Sequence, residues 1–178
     1  EIVNSNKPVI FISGHFANYE LMSMELVKAN IKLATIYRPL NNYFLNPYME
    51  HVRRSYVCKN QIKKGIGGVK EAITFMKKNY SVALMVDQRV SEGPRVVFFN
   101  DGAHTTTLPA QLSNKFNCNI VPIYISRNSD ETFDMEIMDP LKIQSNGDDK
   151  KNTLTLEINK VMEKLILRDP GQWILTHN

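Results

Sequence analysis

The chain has 178 residues, of which 43% are hydrophobic and 22% charged, with a formal net charge of +4 at pH 7. That length suits one domain around a single core, and that balance excludes a disordered chain and an extended coiled coil. No stretch approaches the roughly 20 consecutive apolar residues of a membrane helix, and the opening Glu1-Ile2-Val3-Asn4 lacks the basic and apolar regions of a signal peptide.

In chain order, Pro8 to Ser13 is a β-branched and aromatic run ended by Gly14, which predicts a buried strand. Asn18 is placed to cap a helix from Tyr19 to Asn30, with Leu21, Met22, Met24, Leu26 and Val27 on its apolar side. A second strand is expected from Leu33 to Tyr37, closed by Arg38-Pro39. A helix follows from about Leu45 to Tyr56, with Pro47 in its first turn. Gly67-Gly68 precede a helix with Val69, Ala72, Ile73 and Met76 at helical spacing. Ser81 to Val86 is a buried strand ending at Asp87-Gln88, and a Gly-Pro turn leads to a strand from Arg95 to Phe99. Then come a helix from Leu108 to Phe116, a strand from Ile120 to Ser126 and an edge strand from Phe133 to Ile137. An amphipathic helix from Leu154 to Leu167 stops at Asp169-Pro170-Gly171, and Trp173 to Thr176 reads as a last strand. Strands alternating with helices predict an α/β layered fold with a largely parallel central sheet flanked by helices. With no internal repeat, low-complexity tract or linker, residues 1–178 read as one domain.

In such sheets, sites gather at the carboxyl ends of strands. Three expected strand ends carry polar residues suited to chemistry: His15, Arg38 and Asp87. His15 falls in the turn of Gly14-His15-Phe16-Ala17-Asn18-Tyr19-Glu20, and Glu20 in the first turn of the next helix. A carboxylate reaching the imidazole there would set its tautomer and make His15 a general base for a hydroxyl. A structural turn histidine beside a capping glutamate fits the same spacing. Arg38, in Tyr37-Arg38-Pro39-Leu40-Asn41-Asn42, could grip a phosphate or a developing oxyanion, with Asn41 and Asn42 orienting polar substrate groups. The segment equally suits a plain turn rich in Asn and Pro. Asp87-Gln88 could bind a substrate hydroxyl, ligate a metal or close a loop. Ala103-His104-Thr105-Thr106-Thr107 leads into a helix, as its cap or as an anion site at its start.

Six basic residues (Arg53, Arg54, Lys59, Lys63, Lys64, Lys70) and no acidic one lie between positions 53 and 70. Such a run favours an anionic partner, whether phosphate, nucleic acid or membrane, or else forms a solvated face. Gly65-Ile66-Gly67-Gly68 follows lysines rather than a strand and fails the dinucleotide pattern, and neither a Walker lysine motif nor Gly-x-Ser-x-Gly is present. The histidines at 15, 51, 104 and 177 are scattered, and Cys58 and Cys118 have no metal-ligand spacing. A metal hydrolase would therefore need His15, Asp87 and His104 to converge in space. A non-catalytic lipid or nucleic-acid binder would use the basic run instead.

The segment from Gly14 to Glu20 resembles the His-x4-Asp/Glu motif of the lysophospholipid acyltransferase superfamily, in its glutamate form. Tyr37-Arg38-Pro39-Leu40-Asn41-Asn42 narrows the resemblance to the lipid A late acyltransferases, the lauroyl and myristoyl transferases. Val86-Asp87-Gln88, then Phe98-Phe99 before Ala103 and Thr105-Thr106, and the stretch from Asp169 to His177 follow in the family's order. The resemblance implies a glycerolphosphate-acyltransferase-like fold and transfer of an acyl group from acyl carrier protein to a hydroxyl of a lipid A precursor. It implies His15 as general base with Glu20 as its partner. It also implies Arg38, Asn41, Asn42, Asp87, Gln88 and Thr105 as substrate contacts, with neither cofactor nor metal nor nucleic acid. A lysophospholipid or another glycolipid is the alternative acceptor. Relatives begin with one membrane anchor helix, so the expectation is a partial chain that works at the cytoplasmic face of a bacterial inner membrane.

Overall fold

A computed structural model of the chain describes residues 7–141 and 150–174. The elements are β1 (Ile10–Ser13), α1 (Glu20–Lys28), β2 (Leu33–Tyr37), α2 (Leu45–Val52), β3 (Gln61–Lys63), α3 (Ile66–Lys77) and β4 (Ser81–Met85). They continue with β5 (Arg95–Phe98), β6 (Asp101–His104), α4 (Leu108–Phe116), β7 (Ile120–Arg127), β8 (Phe133–Ile137) and α5 (Lys150–Ile166). A six-stranded sheet runs β3-β2-β4-β1-β7-β8. Its first five strands pair in parallel, and β8 adds antiparallel at the edge. The fold is the expected α/β arrangement of a largely parallel sheet between helices. Among the described residues, no helix is long and apolar enough to cross a membrane.

The two-residue period of the strands divides the core between two faces. Ile10, Ile12, Ala34, Ile62, Val82 and Leu84 point to one side and meet α3, α4 and α5 through Ala72, Met76, Leu112, Leu154, Ile158 and Met162. Phe11, Leu33, Ala83, Val121 and Ile123 point to the other and meet Met22 and Leu26 of α1. Burial on both faces explains why these strands read as apolar runs rather than alternating ones.

The structure differs from the sequence expectations at short or polar segments. α1 starts at Glu20 with Tyr19 in its cap position, so Asn18 is not its cap. The helix expected through Tyr56 ends at Val52 and passes into a π-helical turn, Arg53–Val57. Gly67 and Gly68 lie inside the first turn of α3 rather than before it. A Cβ on Gly68 would stand 2.1 Å from the Lys63 carbonyl oxygen, so a glycine lets α3 sit directly on β3. β3 was not expected, because three residues without an apolar pattern acquire strand geometry only by pairing with β2. Ala103 and His104, expected in the stretch that leads into a helix, belong instead to Asp101–His104, the second strand of a hairpin with β5. Its two turn residues, Phe99 and Asn100, both have positive φ (48° and 63°), as a type I′ turn demands, without the usual Asn-Gly signature. Trp173 makes a single antiparallel bridge to Phe16 rather than opening a strand, and residues 175–176 lie outside the described residues.

Candidate functional site

Because β1, β2, β3 and β4 are parallel, their following residues converge on one edge of the sheet. There His15, Arg38 and Lys64 line a cleft of about 360 Å³, together with Tyr19, Glu20, Asn41, Arg53, Gln61, Gln88 and Thr106. Ile36, Leu84, Met85 and Leu108 supply apolar wall.

The imidazole has a different partner from the expected one. Asp87, after β4, accepts from His15 Nδ1 at 2.7 Å and from the His15 backbone N–H at 2.8 Å. Its Oδ2 also accepts from Trp173 Nε1 at 2.9 Å. The Asp87 side chain is 1% exposed. Burial pushes its pKa up, but the His15 ring, the His15 N–H and the Trp173 indole outweigh burial and hold it below the ordinary aspartate value. An ionised carboxylate only accepts, so Nδ1 must be the donor, and a neutral ring then keeps its lone pair on Nε2.

Glu20 is engaged elsewhere. Its Oε1 accepts from Arg53 Nε at 2.8 Å and Nη2 at 2.6 Å. The π-helical turn brings Arg53 under α1, where the residue is only 8% exposed, and a guanidinium so buried requires a counter-ion. The Tyr19 ring stands edge-on to the imidazole, with centroids 4.7 Å apart. Burial, reinforced by the Glu20 charge, raises the Tyr19 hydroxyl above the usual tyrosine pKa.

The turn itself is pinned from the far end of the chain. Ala17 N–H donates to the Gln172 carbonyl at 2.8 Å and Ile174 N–H to the His15 carbonyl at 2.9 Å. These bonds hold Ala17 at φ 42°, a conformation a non-glycine residue adopts only when its surroundings impose it. Gly14 is needed beside it, since a Cβ there would stand 2.7 Å from the Phe16 ring and 3.2 Å from Asp87 Oδ2.

The remaining expected site residues separate. Arg38 and Asn41 line the cleft, and Gln88 lines both this cleft and a second cavity of about 410 Å³ behind Asp87. Asn42 serves the backbone instead, because its Oδ1 accepts from the N–H groups of Phe44 and Leu45, both at 3.0 Å, at the start of α2. Thr105 is buried in the second cavity, accepting from Asn159 Nδ2 at 3.2 Å, while its neighbour Thr106 faces the His15 cleft. His104 bonds the Gly93 carbonyl at 2.8 Å and lines the second cavity, whereas His15 lines the cleft. Among the described residues, no three His, Cys, Asp or Glu side chains are placed to share a metal ion. Leu175, Thr176 and His177, the end of the closing block, lie outside the described residues.

Two residues that sequence reasoning passed over shape this site. Trp173, the sole tryptophan, stands in a recognised block, but nothing in the sequence connects its indole to Asp87. Arg53 is indistinguishable by sequence from the basic residues that follow it, and only its burial separates it from them.

The model of the family described as bacterial lipid A biosynthesis acyltransferase matches residues 1–178, the whole chain. No curated protein sequence matches it significantly.

Proposed function

The chain belongs to the bacterial lipid A biosynthesis acyltransferase family and is an acyltransferase; from that premise we propose that it moves a fatty acyl group from an acyl carrier protein thioester to a hydroxyl of a lipid A precursor. Its place of work in this reading is the cytoplasmic face of the inner membrane. The observation that carries the chemistry is the imidazole of His15, anchored through Nδ1 to the buried Asp87 carboxylate and lining the cleft.

His15 Nε2 takes the proton of the acceptor hydroxyl as its oxygen attacks the thioester carbonyl. Asp87 holds the ring in the required tautomer and stabilises the imidazolium that forms. Arg38, at the cleft wall, faces the oxyanion of the tetrahedral intermediate or an acceptor phosphate. When the carbon–sulfur bond breaks, the proton on His15 passes to the departing thiolate, so the enzyme ends in its starting state. Glu20, tied to Arg53, is a polar wall of the same cleft and positions the acceptor rather than the imidazole.

Replacing His15 by Ala removes the base while leaving its anchor, and should lower turnover by roughly 10²- to 10⁴-fold in a folded protein. Mass spectrometry of lipid A from cells lacking and then regaining the protein identifies acceptor and acyl chain. An unchanged lipid A profile with a changed phospholipid profile would move the acceptor to a lysophospholipid. Native turnover in His15→Ala would remove the mechanism.

A further inference from the structure

We propose that the surface formed by the loop before α2, α2 itself and the start of α3 is a lipid-facing lip, by which the protein docks on an anionic bilayer with the mouth of the His15 cleft against the headgroups. The inference rests on the acyltransferase reading for its purpose but not for its test.

α2 contributes no buried residue to the core. The segment around it instead presents large apolar groups to solvent: Phe44 is 90% exposed, Tyr43 87% and Ile66 86%, with Tyr48 and Tyr56 also exposed. Single exposed apolar residues need no explanation, but a run of aromatic ones on consecutive elements marks an interaction surface. The elements adjoin in space, since Lys63 Nζ bonds Glu50 Oε1 at 3.0 Å and so ties the end of β3, and with it Ile66, to α2.

Three observations select a bilayer over a protein. The aromatics are mainly tyrosines, whose apolar ring and polar tip suit the boundary between acyl chains and water. The flanking charge is mainly positive: Arg54, Lys59 and Lys70 are exposed, Lys63 pairs with Glu50, the carboxylate on α2, and the exposed Glu71 on α3 offsets only one of the cations. That pattern complements anionic headgroups. The lip is also continuous with the cleft, because Leu40 and Asn41, just before it, line the cavity that holds His15. A lipid acceptor could therefore rise from the bilayer into the cleft without crossing water.

The test uses the purified chain in sedimentation with vesicles of phosphatidylglycerol and phosphatidylethanolamine, and with phosphatidylcholine vesicles. The native chain should bind the anionic vesicles and bind phosphatidylcholine more weakly. A Tyr43→Ser/Phe44→Ser double variant should lose about tenfold or more in partitioning, since each ring removed deletes buried apolar area. An Arg54→Glu/Lys59→Glu variant should lose roughly tenfold at low salt and little at high salt. In acyl transfer, Tyr43→Ser/Phe44→Ser should keep the native rate on detergent-dispersed acceptor and slow on vesicle-embedded acceptor. Equal sedimentation of native and variant chains would overturn the proposal. So would a variant that alters only self-association in analytical ultracentrifugation, or only the KM for a protein donor. Vesicle binding that follows the proposal, in a chain that transfers no acyl group to any acceptor, would instead overturn the catalytic reading and leave the lip standing.

Discussion

At His15 the imidazole meets one carboxylate and at Glu20 a carboxylate meets one guanidinium, so two polar residues of a single motif serve different partners. Substitution should separate them. Asp87→Asn keeps the shape but cannot hold the required tautomer, and should lower kcat by about 10²- to 10⁴-fold with the thermal midpoint nearly unchanged. Trp173→Phe removes one donor to the Asp87 carboxylate and keeps an apolar ring. It should reduce kcat roughly tenfold and leave KM close to native, as expected of a positioning residue. If KM rises and kcat holds, Trp173 contacts substrate instead. Glu20→Ala leaves the buried Arg53 without its counter-ion. That should cost roughly 2–4 kcal/mol in denaturant unfolding, less than for a fully buried pair because the Glu20 side chain is 29% exposed. Stability unchanged in Glu20→Ala, with activity lost, would return Glu20 to the chemistry.

Among the elements, α3 and α2 show how local sequence and contact divide the work. Gly67 and Gly68 are adjacent in the first turn of α3, yet a Cβ on Gly67 meets nothing within 4 Å, whereas on Gly68 it meets backbone. Gly67→Ala should therefore stabilise by up to about 1 kcal/mol. Gly68→Ala should destabilise by several times that, because β3 or α3 must move. Equal thermal midpoints for the two variants would refute this seating of α3. α2 is held to β3 by Glu50, whose pKa is lowered from 4.5 to about 2 by its ion pair with Lys63, by the neighbouring Tyr37 hydroxyl and by its bond from Asn46. A carboxyl depressed on folding stabilises above its ordinary pKa, and this contribution disappears as pH falls from about 4.5 to about 2. Compared with Glu50→Gln, the native chain should have the higher thermal midpoint at pH 7, a gap that narrows through that window. Because the group is partly solvated, the gap should be small. A gap independent of pH would mean that Glu50 acts by packing alone.

Across the whole molecule, the parallel sheet turns residues distant in sequence into one site. His15, Arg38 and Asp87 were readable as candidates because each follows an apolar run, and parallel strands carry all such ends to one edge. The long buried strands, the helix at 108–116 and all but the first turn of the helix at 150–166 were legible from period and length. Gln61–Lys63 and Asp101–His104 were not, because their hydrogen bonds come from β2 and β5 rather than from any preference of their own residues. The basic run from 53 to 70 looked uniform, yet the fold buries Arg53 against Glu20, pairs Lys63 with Glu50 and leaves Arg54, Lys59 and Lys70 exposed.

What the sequence by itself determined is the α/β class, the family, and the polar residues at the strand ends, His15, Arg38 and Asp87, as candidates for a site. All of these follow from apolar period, turn chemistry and short motifs, which act within a few residues of chain. The partner of each charged group was decided by tertiary structure alone. His15 and Glu20 are five positions apart, whereas Asp87 is 72 residues from His15 and Arg53 is 33 from Glu20. Spacing favours the near pair. A buried carboxylate and a buried guanidinium each need a partner at hydrogen-bond distance, and the packing of β4 against β1 and of the π-helical turn against α1 supplies those partners across the fold.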